Sequence, residues 1–393
     1  MTNPNLLDRT RFTYLTIVAV GTLYIPQPNL PKIAEDLALS SSNAALLTTT
    51  AFLPLIVMPL FFGFILEIVN VRVILHASLL SLLLTNILIF IFSDSFSIIL
   101  VLRFFQGVVV SGILISVTTY LSKNAKPQNL SSLLSLYVAS TIFGGFVGRV
   151  LSAVIATLIS WPYTFLFGAI NAFICIIMIG RTHININELL PNTGMPELRT
   201  IYALLLDKNI AGVLIIIFCC FFSFSSILNF FPFYLARLHP GLSEIEIGFI
   251  YTGYLVGAGA ALFSSRFIRL IGSLRNAVIF GVILLSLSIA CWFTTAMLAI
   301  FMSMIFTCAS MFLIQAILTG YVNSYFRNFK AIANGIYVAA YYAGGAAGSF
   351  FPGLIYDRYG WSGLLIMDLL ILAIGILYAG LLDDNSEGMG SHG

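Results

Sequence analysis

Three ionisable side chains lie well inside long apolar runs of this 393-residue chain: Arg103, Arg149 and Asp368. Placing such a group in hydrocarbon costs roughly 2.5–3.5 kcal/mol, so each is a candidate for function by default. Arg103 opens the run Arg103-Phe104-Phe105-Gln106-Gly107. On a helix its guanidinium and the Gln106 amide share one face. A planar five-donor fork placed there either couples to a bound group or staples neighbouring helices through their carbonyls. Arg149 either faces a cavity as an anion-binding group or snorkels to the headgroups, a route open to Arg103 as well. Asp368 either carries a proton, since burial disfavours the charged carboxylate, or stays neutral against a neighbouring helix.

The elements that hold these groups follow from composition. The chain is 60% hydrophobic and 8% charged, whereas a soluble domain carries about 25% charged residues. That excludes an ordinary soluble enzyme, and so apolar a chain is not disordered either. Long unbroken apolar runs point to membrane helices rather than a β-barrel. The five cysteines form no CxxC pair, and the four histidines are scattered, so no metal site or disulfide framework is indicated. A net charge of +3 is too small to suggest nucleic acid. No small-residue cleavage site follows the first apolar run, which reads as an uncleaved span.

Breaks between runs predict an all-α polytopic membrane protein with twelve spans: 12–33, 44–66, 73–92, 96–121, 129–156, 161–180, 209–235, 246–265, 276–293, 297–325, 332–355 and 361–381. The predicted organisation is a six-helix bundle over 1–180, a cytoplasmic linker over 181–208 and a second bundle over 209–382. The tail, 383–393, reads as partly an expression scar. The linker stretch 198–206 reads either as a surface helix or as a plain tether. With the N-terminus inside, thirteen of the eighteen lysines and arginines fall in cytoplasmic segments and three in outer loops. The positive-inside rule therefore puts both termini in the cytoplasm.

A repeat links the two halves. Tyr137, Gly144, Gly145, Gly148 and Trp161 recur two hundred positions later as Tyr337, Gly344, Gly345, Gly348 and Trp361. Glycine pairs alone are weak evidence, because small residues commonly pack membrane helices. Five matches in one register predict parallel pseudo-symmetric halves, with ligand near the midplane.

These residues resemble the major facilitator superfamily over essentially the whole chain, most of all its twelve-helix drug:proton antiporter branch. Arg103, Gln106 and Gly107 match that family's RxxQG in span four. Gly144-Gly145-Phe146-Val147-Gly148-Arg149 resembles its antiporter motif GPxxGG, with Gly145 for the proline and Arg149 for the last glycine. The loop after span two keeps Gly63 and Arg72 of GxxxDRxGRR, with Glu67 for the aspartate. The equivalent loop after span eight has Arg269 where the family has an acid. The resemblance implies that Arg103 bonds to span one and to Gln106, and that these glycines and loops serve conformational change.

The resemblance also implies that spans one, four, seven and ten line the pathway. Span one then offers Tyr24, Gln27 and Asn29 among Pro26, Pro28 and Pro31, whose freed carbonyls would face a cavity. Span four adds Gln106, Ser111 and Ser116. Span seven adds Ser223, Ser225, Ser226 and Asn229, and span ten Thr307, Ser310, Gln315 and Thr319. Tyr251, Tyr254, Tyr341 and Tyr342 add aromatic surface. Serine and threonine in such places equally often bond only their own helix. No acid lies inside spans one, four, five, seven, eight, ten or eleven, and two arginines lie in the first half. Neutral or anionic cargo is thereby favoured.

The expected function is secondary active transport of a small amphipathic molecule by alternating access. It is expected to run as proton-coupled export from the bacterial inner membrane, by a monomer with no cofactor beyond the proton gradient. An uncoupled facilitator or importer, or an exporter of a metal-chelating metabolite such as a siderophore, fits the same residues. A membrane-embedded enzyme would need clustered acid–base residues, and Asp368 stands apart.

Overall fold

The computed structural model describes residues 6–124, 127–180, 206–325 and 330–383. The linker expected over 181–208 lies almost wholly outside them, and so does the tail from 384. In chain order come α1 (Leu6–Tyr24), a 3-10 turn (Gln27–Asn29), α2 (Leu30–Asp36), α3 (Ser41–Ile68), α4 (Val71–Ile91), α5 (Phe96–Asn124), α6 (Pro127–Leu158) and α7 (Pro162–Gly180). Then follow α8 (Lys208–Leu238), α9 (Glu244–Ile250), α10 (Gly253–Ile271), α11 (Leu274–Ala290), α12 (Met297–Tyr325) and α13 (Lys330–Gly380). No strand occurs among the described residues.

Several starts are set by side-chain caps. Ser40 accepts from the Asn43 amide at 3.2 Å, Asn70 from Arg72 at 2.8 Å and Ser273 from Asn276 at 3.2 Å. Each satisfies a backbone donor left over in the first turn. Asn70 and Ser273 start the helices after the loops that follow spans two and eight, so one device serves both loops.

Among the described residues nine helices are long and apolar enough to cross a membrane. The difference from the expected twelve has local causes. Spans eleven and twelve run together as α13, bent at Gly360 (φ 68, ψ −164). Only glycine adopts that backbone without penalty. α1 opens on Asp8, Arg9 and Arg11, and α11 is 17 residues long. Span one does not run to residue 33: it stops at Tyr24, before Pro26 and Pro28, and resumes as α2. Span eight is broken by a turn at Tyr251–Thr252. Large apolar side chains cover the outside, with Leu262 82% and Leu377 69% exposed, which suits lipid and not water.

The chain forms two compact units, Met1–Met195 with His239–Phe249, and Pro196–Leu238 with Ile250–Gly393. Inside the first, α1 packs on α6, α3 on α5, and α4 on α5 and α7. Inside the second, α8 packs on α13, α10 on α12, and α11 on α12 and α13. The pairing is the same, and the repeated glycines show why. A β-carbon on Gly144 would stand 2.8 Å from the Ile17 carbonyl oxygen, and one on Gly148 2.6 Å from the Gly21 Cα. On Gly344 it would stand 2.9 Å from the Phe218 Cα, and on Gly348 2.6 Å from the Phe222 Cα. In both units two backbones touch along a glycine seam.

The register ends alike as well. The Trp161 indole donates to Asp36 Oδ2 at 2.9 Å, and the Trp361 indole to the Trp292 carbonyl at 3.0 Å.

The seam predicts the effect of filling it. Gly148→Leu must push α1 off α6, at a cost of about 3 kcal/mol or more from overpacking. Gly63, whose β-carbon would meet nothing within 4 Å, accepts alanine freely. Thermal unfolding in detergent checks both, with a clear loss expected for Gly148→Leu and none for Gly63→Ala. A Gly148→Leu protein that melts and transports like wild type would rule out the seam.

Candidate functional site

Arg103 is fully buried on α5, and its donors are aimed at neighbouring backbones. Nε donates to the Leu47 carbonyl at 2.9 Å, one terminal nitrogen to Thr22 at 2.9 Å, and the other to Leu23 at 2.5 Å. The first terminal nitrogen also reaches Gln106 Oε1 at 2.7 Å. Gln106 then donates to Asn86 Oδ1 at 3.2 Å, and Asn86 to its own helix at Leu82.

The location of these bonds follows from the prolines. Thr22's carbonyl would normally accept from residue 26, and Pro26 has no N–H to give. The Thr22 carbonyl that Pro26 frees is therefore taken up by Arg103, together with that of Leu23, and neither is left unpartnered. One side chain ties α1, α3 and α5 together. The second unit meets the same problem: Pro232 strips the Leu228 carbonyl, and the Tyr251 hydroxyl donates to it at 3.0 Å.

Arg149 on α6 is also buried, 1% exposed, so neither arginine snorkels. Nε donates to Gln27 Oε1 at 2.6 Å and a terminal nitrogen to the Gly145 carbonyl at 2.6 Å. The guanidinium carbon stands 3.9 Å above the Tyr24 ring centre, a cation–π contact. Tyr24 in turn meets Phe52 edge-on at 5.7 Å.

Two hundred residues on, Ser349 occupies the corresponding place. Its hydroxyl donates to the Gly345 carbonyl at 2.8 Å and lies 2.8 Å from Ser225 Oγ. Asn229 donates to Ser349 Oγ at 2.8 Å and to the Ser225 carbonyl at 2.8 Å. Each unit thus carries one polar cluster beside its glycine seam. The first is cationic with Arg149, Tyr24 and Gln27, the second neutral with Ser349, Ser225 and Asn229. Ser349 and Asn86 were missed in the sequence; the two-hundred offset from Arg149 would have pointed to Ser349.

The remaining candidates divide. Asn29 donates to its own chain at Ile25, 3.2 Å away, and Ser111, Ser310 and Thr319 likewise bond their own helices. The Gln315 carbonyl accepts from Tyr337 at 3.3 Å. Tyr341 stacks on Phe221 at 3.7 Å, and Tyr342 meets both edge-on. Asp368 is fully buried in α13, beyond the Gly360 bend, with the Ser226 hydroxyl of α8 facing its carboxyl. Gly107 faces the Ala51 carbonyl of α3. Arg72 is exposed and donates to the carbonyl of Gly180, the last residue of α7, at 3.4 Å. Glu67 lies half-buried near the end of α3.

The staple makes a prediction of its own. Arg103→Lys offers one compact ammonium that cannot reach Leu47 and the α1 end together. It should lose most of the stability that Arg103→Ala loses, about 2–4 kcal/mol from orphaned carbonyls. Melting of the purified protein measures this, and a lysine variant as stable as wild type would remove the stapling role.

The family model described as Major Facilitator Superfamily matches residues 12–328 and 213–390. An "Uncharacterized transporter" of Buchnera aphidicola subsp. Schizaphis graminum is 23% identical over 367 residues, spanning 90% of this chain and 86% of that protein. The MFS-type transporter YybF of Bacillus subtilis is 23% identical over 369 residues, spanning 92% and 89%. A crystal structure of a bacterial homolog of the human lysosomal transporter Spinster has the same fold. Its TM-score is 0.80 at 12% identity, with 95% of each chain covered. The chain therefore belongs to the Major Facilitator Superfamily and is an integral membrane transporter, not an enzyme.

Proposed function

We propose that this transporter exports a small amphipathic molecule, neutral or anionic, in exchange for protons. It works by alternating access of two six-helix halves, twelve spans in all, as in the drug:proton antiporter branch it resembles. It acts as a monomer in the bacterial inner membrane with both termini cytoplasmic, in line with the thirteen-to-three distribution of basic residues. It needs no cofactor beyond the proton gradient.

The observation that carries the cargo class is Arg149. Arg103 has four bonds to backbone and to Gln106, so its fork is committed to holding helices. Arg149 reaches one carbonyl, that of Gly145 on its own helix, and two side chains, Tyr24 and Gln27. The first six spans place no acid in their interiors. An aromatic ring beside a fixed positive charge suits a flat, apolar body bearing an anionic or strongly polar group.

The test uses purified protein in liposomes containing a pH-sensitive dye. After a pH gradient is imposed, anilinonaphthalenesulfonate serves as anionic aromatic probe and ethidium as cationic one. Wild type should discharge the gradient with the anion. Arg149→Ser, which installs the residue of the second unit, should lower that discharge about tenfold, the loss of one charge-assisted contact. Discharge by ethidium and not by the anion would overturn the cargo class. Anion uptake without any discharge would leave an uncoupled facilitator.

A further inference from the structure

Asp368 is the one acid among the described residues with a fully buried side chain. It lies on the second limb of α13, beyond the Gly360 bend. Facing it from α8 is Ser226, whose hydroxyl is within hydrogen-bonding reach of the carboxyl and has no other partner among the described residues. Ser223, one turn earlier on α8, donates to the main-chain carbonyl of Asp368 at 3.3 Å. The buried carboxyl therefore has one buried hydroxyl facing it and no other hydrogen-bond partner among the described residues.

The packing does not require an acid there. The tryptophan register makes Gly168 the counterpart of Asp368. A β-carbon on Gly168 would stand 2.9 Å from Asn86 Oδ1 and 3.5 Å from the Ile25 side chain, where the second unit has Ser226. The first unit therefore has an amide and an isoleucine beside this position, and no carboxyl.

The charges nearby are few. On α8 the charged groups are Lys208 and Arg237, the latter eleven residues and about 16 Å beyond Ser226. Cys219, also on α8, lies opposite Gly375, two turns along the limb from Asp368, and Cys220 follows it. On α11 the charged group is Arg275, in the first turn, and Val282, two turns further on, already lies level with Gly375. α12 carries no charged residue; its Cys308 is a buried thiol. On α13 itself Asp357 and Arg358 precede the bend. An ionised carboxylate at this place has none of these cations beside it and one hydroxyl, Ser226, to compensate it, whereas a protonated one needs only an acceptor. Ser226 can accept from the acid and, by rotating its hydroxyl, donate to the anion.

We infer that Asp368, with Ser226 and Ser223, is the proton-binding site of the transport cycle, loading and releasing one proton per turnover. The inference rests on the proton-coupled reading above and deepens it. The step is a simple ionisation: the O–H bond breaks, the proton leaves to water and the electron pair stays on the carboxylate, with Ser226 turning from acceptor to donor. α8 transmits the change. Its Phe222, Ser225 and Asn229 face the first limb of α13, along the seam and the Ser349 cluster. Its Ser223 and Ser226 face the second limb. Any shift of α8 that follows ionisation at Asp368 moves Ser225, one residue from Ser226.

The experiment compares wild type with Asp368→Asn, which mimics the protonated acid, in two assays on the full-length protein. Infrared difference spectra taken on pH change should show a protonated-carboxyl band that Asp368→Asn lacks. In liposomes the variant should keep counterflow of anilinonaphthalenesulfonate within about twofold, and lose pH-gradient discharge about tenfold. A missing band, or wild-type discharge by Asp368→Asn, overturns the inference. Wild-type silence in every transport arm sinks proton-coupled transport itself, and the infrared band then still decides whether Asp368 holds a proton. If the asparagine variant does not fold, Asp368→Glu carries the test. Its band must move and its discharge persist; an unmoved band overturns the assignment.

Discussion

A carbonyl stripped of its helical partner finds no substitute in hydrocarbon, and the interior of both units is arranged around that fact. Pro26 takes the donor from Thr22, and Pro232 takes it from Leu228. The first unit answers with a guanidinium, Arg103, and the second with a phenol, Tyr251. The two answers differ in reach. Tyr251 closes one gap, whereas Arg103 closes the gap in α1 and binds α3 at Leu47 with the same planar group. Arg149, the other buried arginine of that unit, is held by Gln27, Tyr24 and the Gly145 carbonyl.

The placement of the polar clusters follows from packing. Close approach along the seam leaves no room for a side chain at Gly148 or Gly348. The next residue along the helix, Arg149 or Ser349, is the first with a side chain, and it reaches across to the facing helix. There it meets Gln27 and Tyr24 in one unit, and Ser225 and Asn229 in the other. The glycines therefore fix where the chemistry sits as well as how near the helices stand.

Much of this was legible in the sequence because a membrane limits what a chain can be. Runs of about twenty apolar residues had to be spans. The glycine and tryptophan register had to mean repeated packing, since nothing else keeps five residues at one offset. What could not be read was direction. Arg103 lies 56 residues from Leu47 and 80 from Leu23, and only tertiary packing brings those carbonyls to it. Position alone left both arginines two routes, inward or outward to headgroups; both are buried against partners inside the unit. Helix continuity was misjudged where backbone conformation decides it, at the Pro26–Pro28 break, the Tyr251 turn and the Gly360 bend. For residues such as Asn29 and Ser310, whether a polar side chain serves its own helix or a neighbour depends on rotamer, which spacing does not encode.

Duplication supplies two scaffolds with the same packing, and a pump built only from identical halves would have no chemical polarity. In this chain the scaffolds agree in their seams and differ in their charges. Position 149 is arginine where 349 is serine, and position 168 is glycine where 368 is aspartate. The two differences are not equivalent. A guanidinium stays charged under any physiological condition, so the first unit offers a permanent field. A carboxyl exchanges its proton, so the second unit offers a charge that can be made and removed. On the transport reading, a permanent charge is what cargo selection requires and a removable one is what energy coupling requires. Separating them onto two units lets each be tuned without disturbing the other, and within the second unit α8 carries Ser226, which faces Asp368, beside Ser225, which faces Ser349.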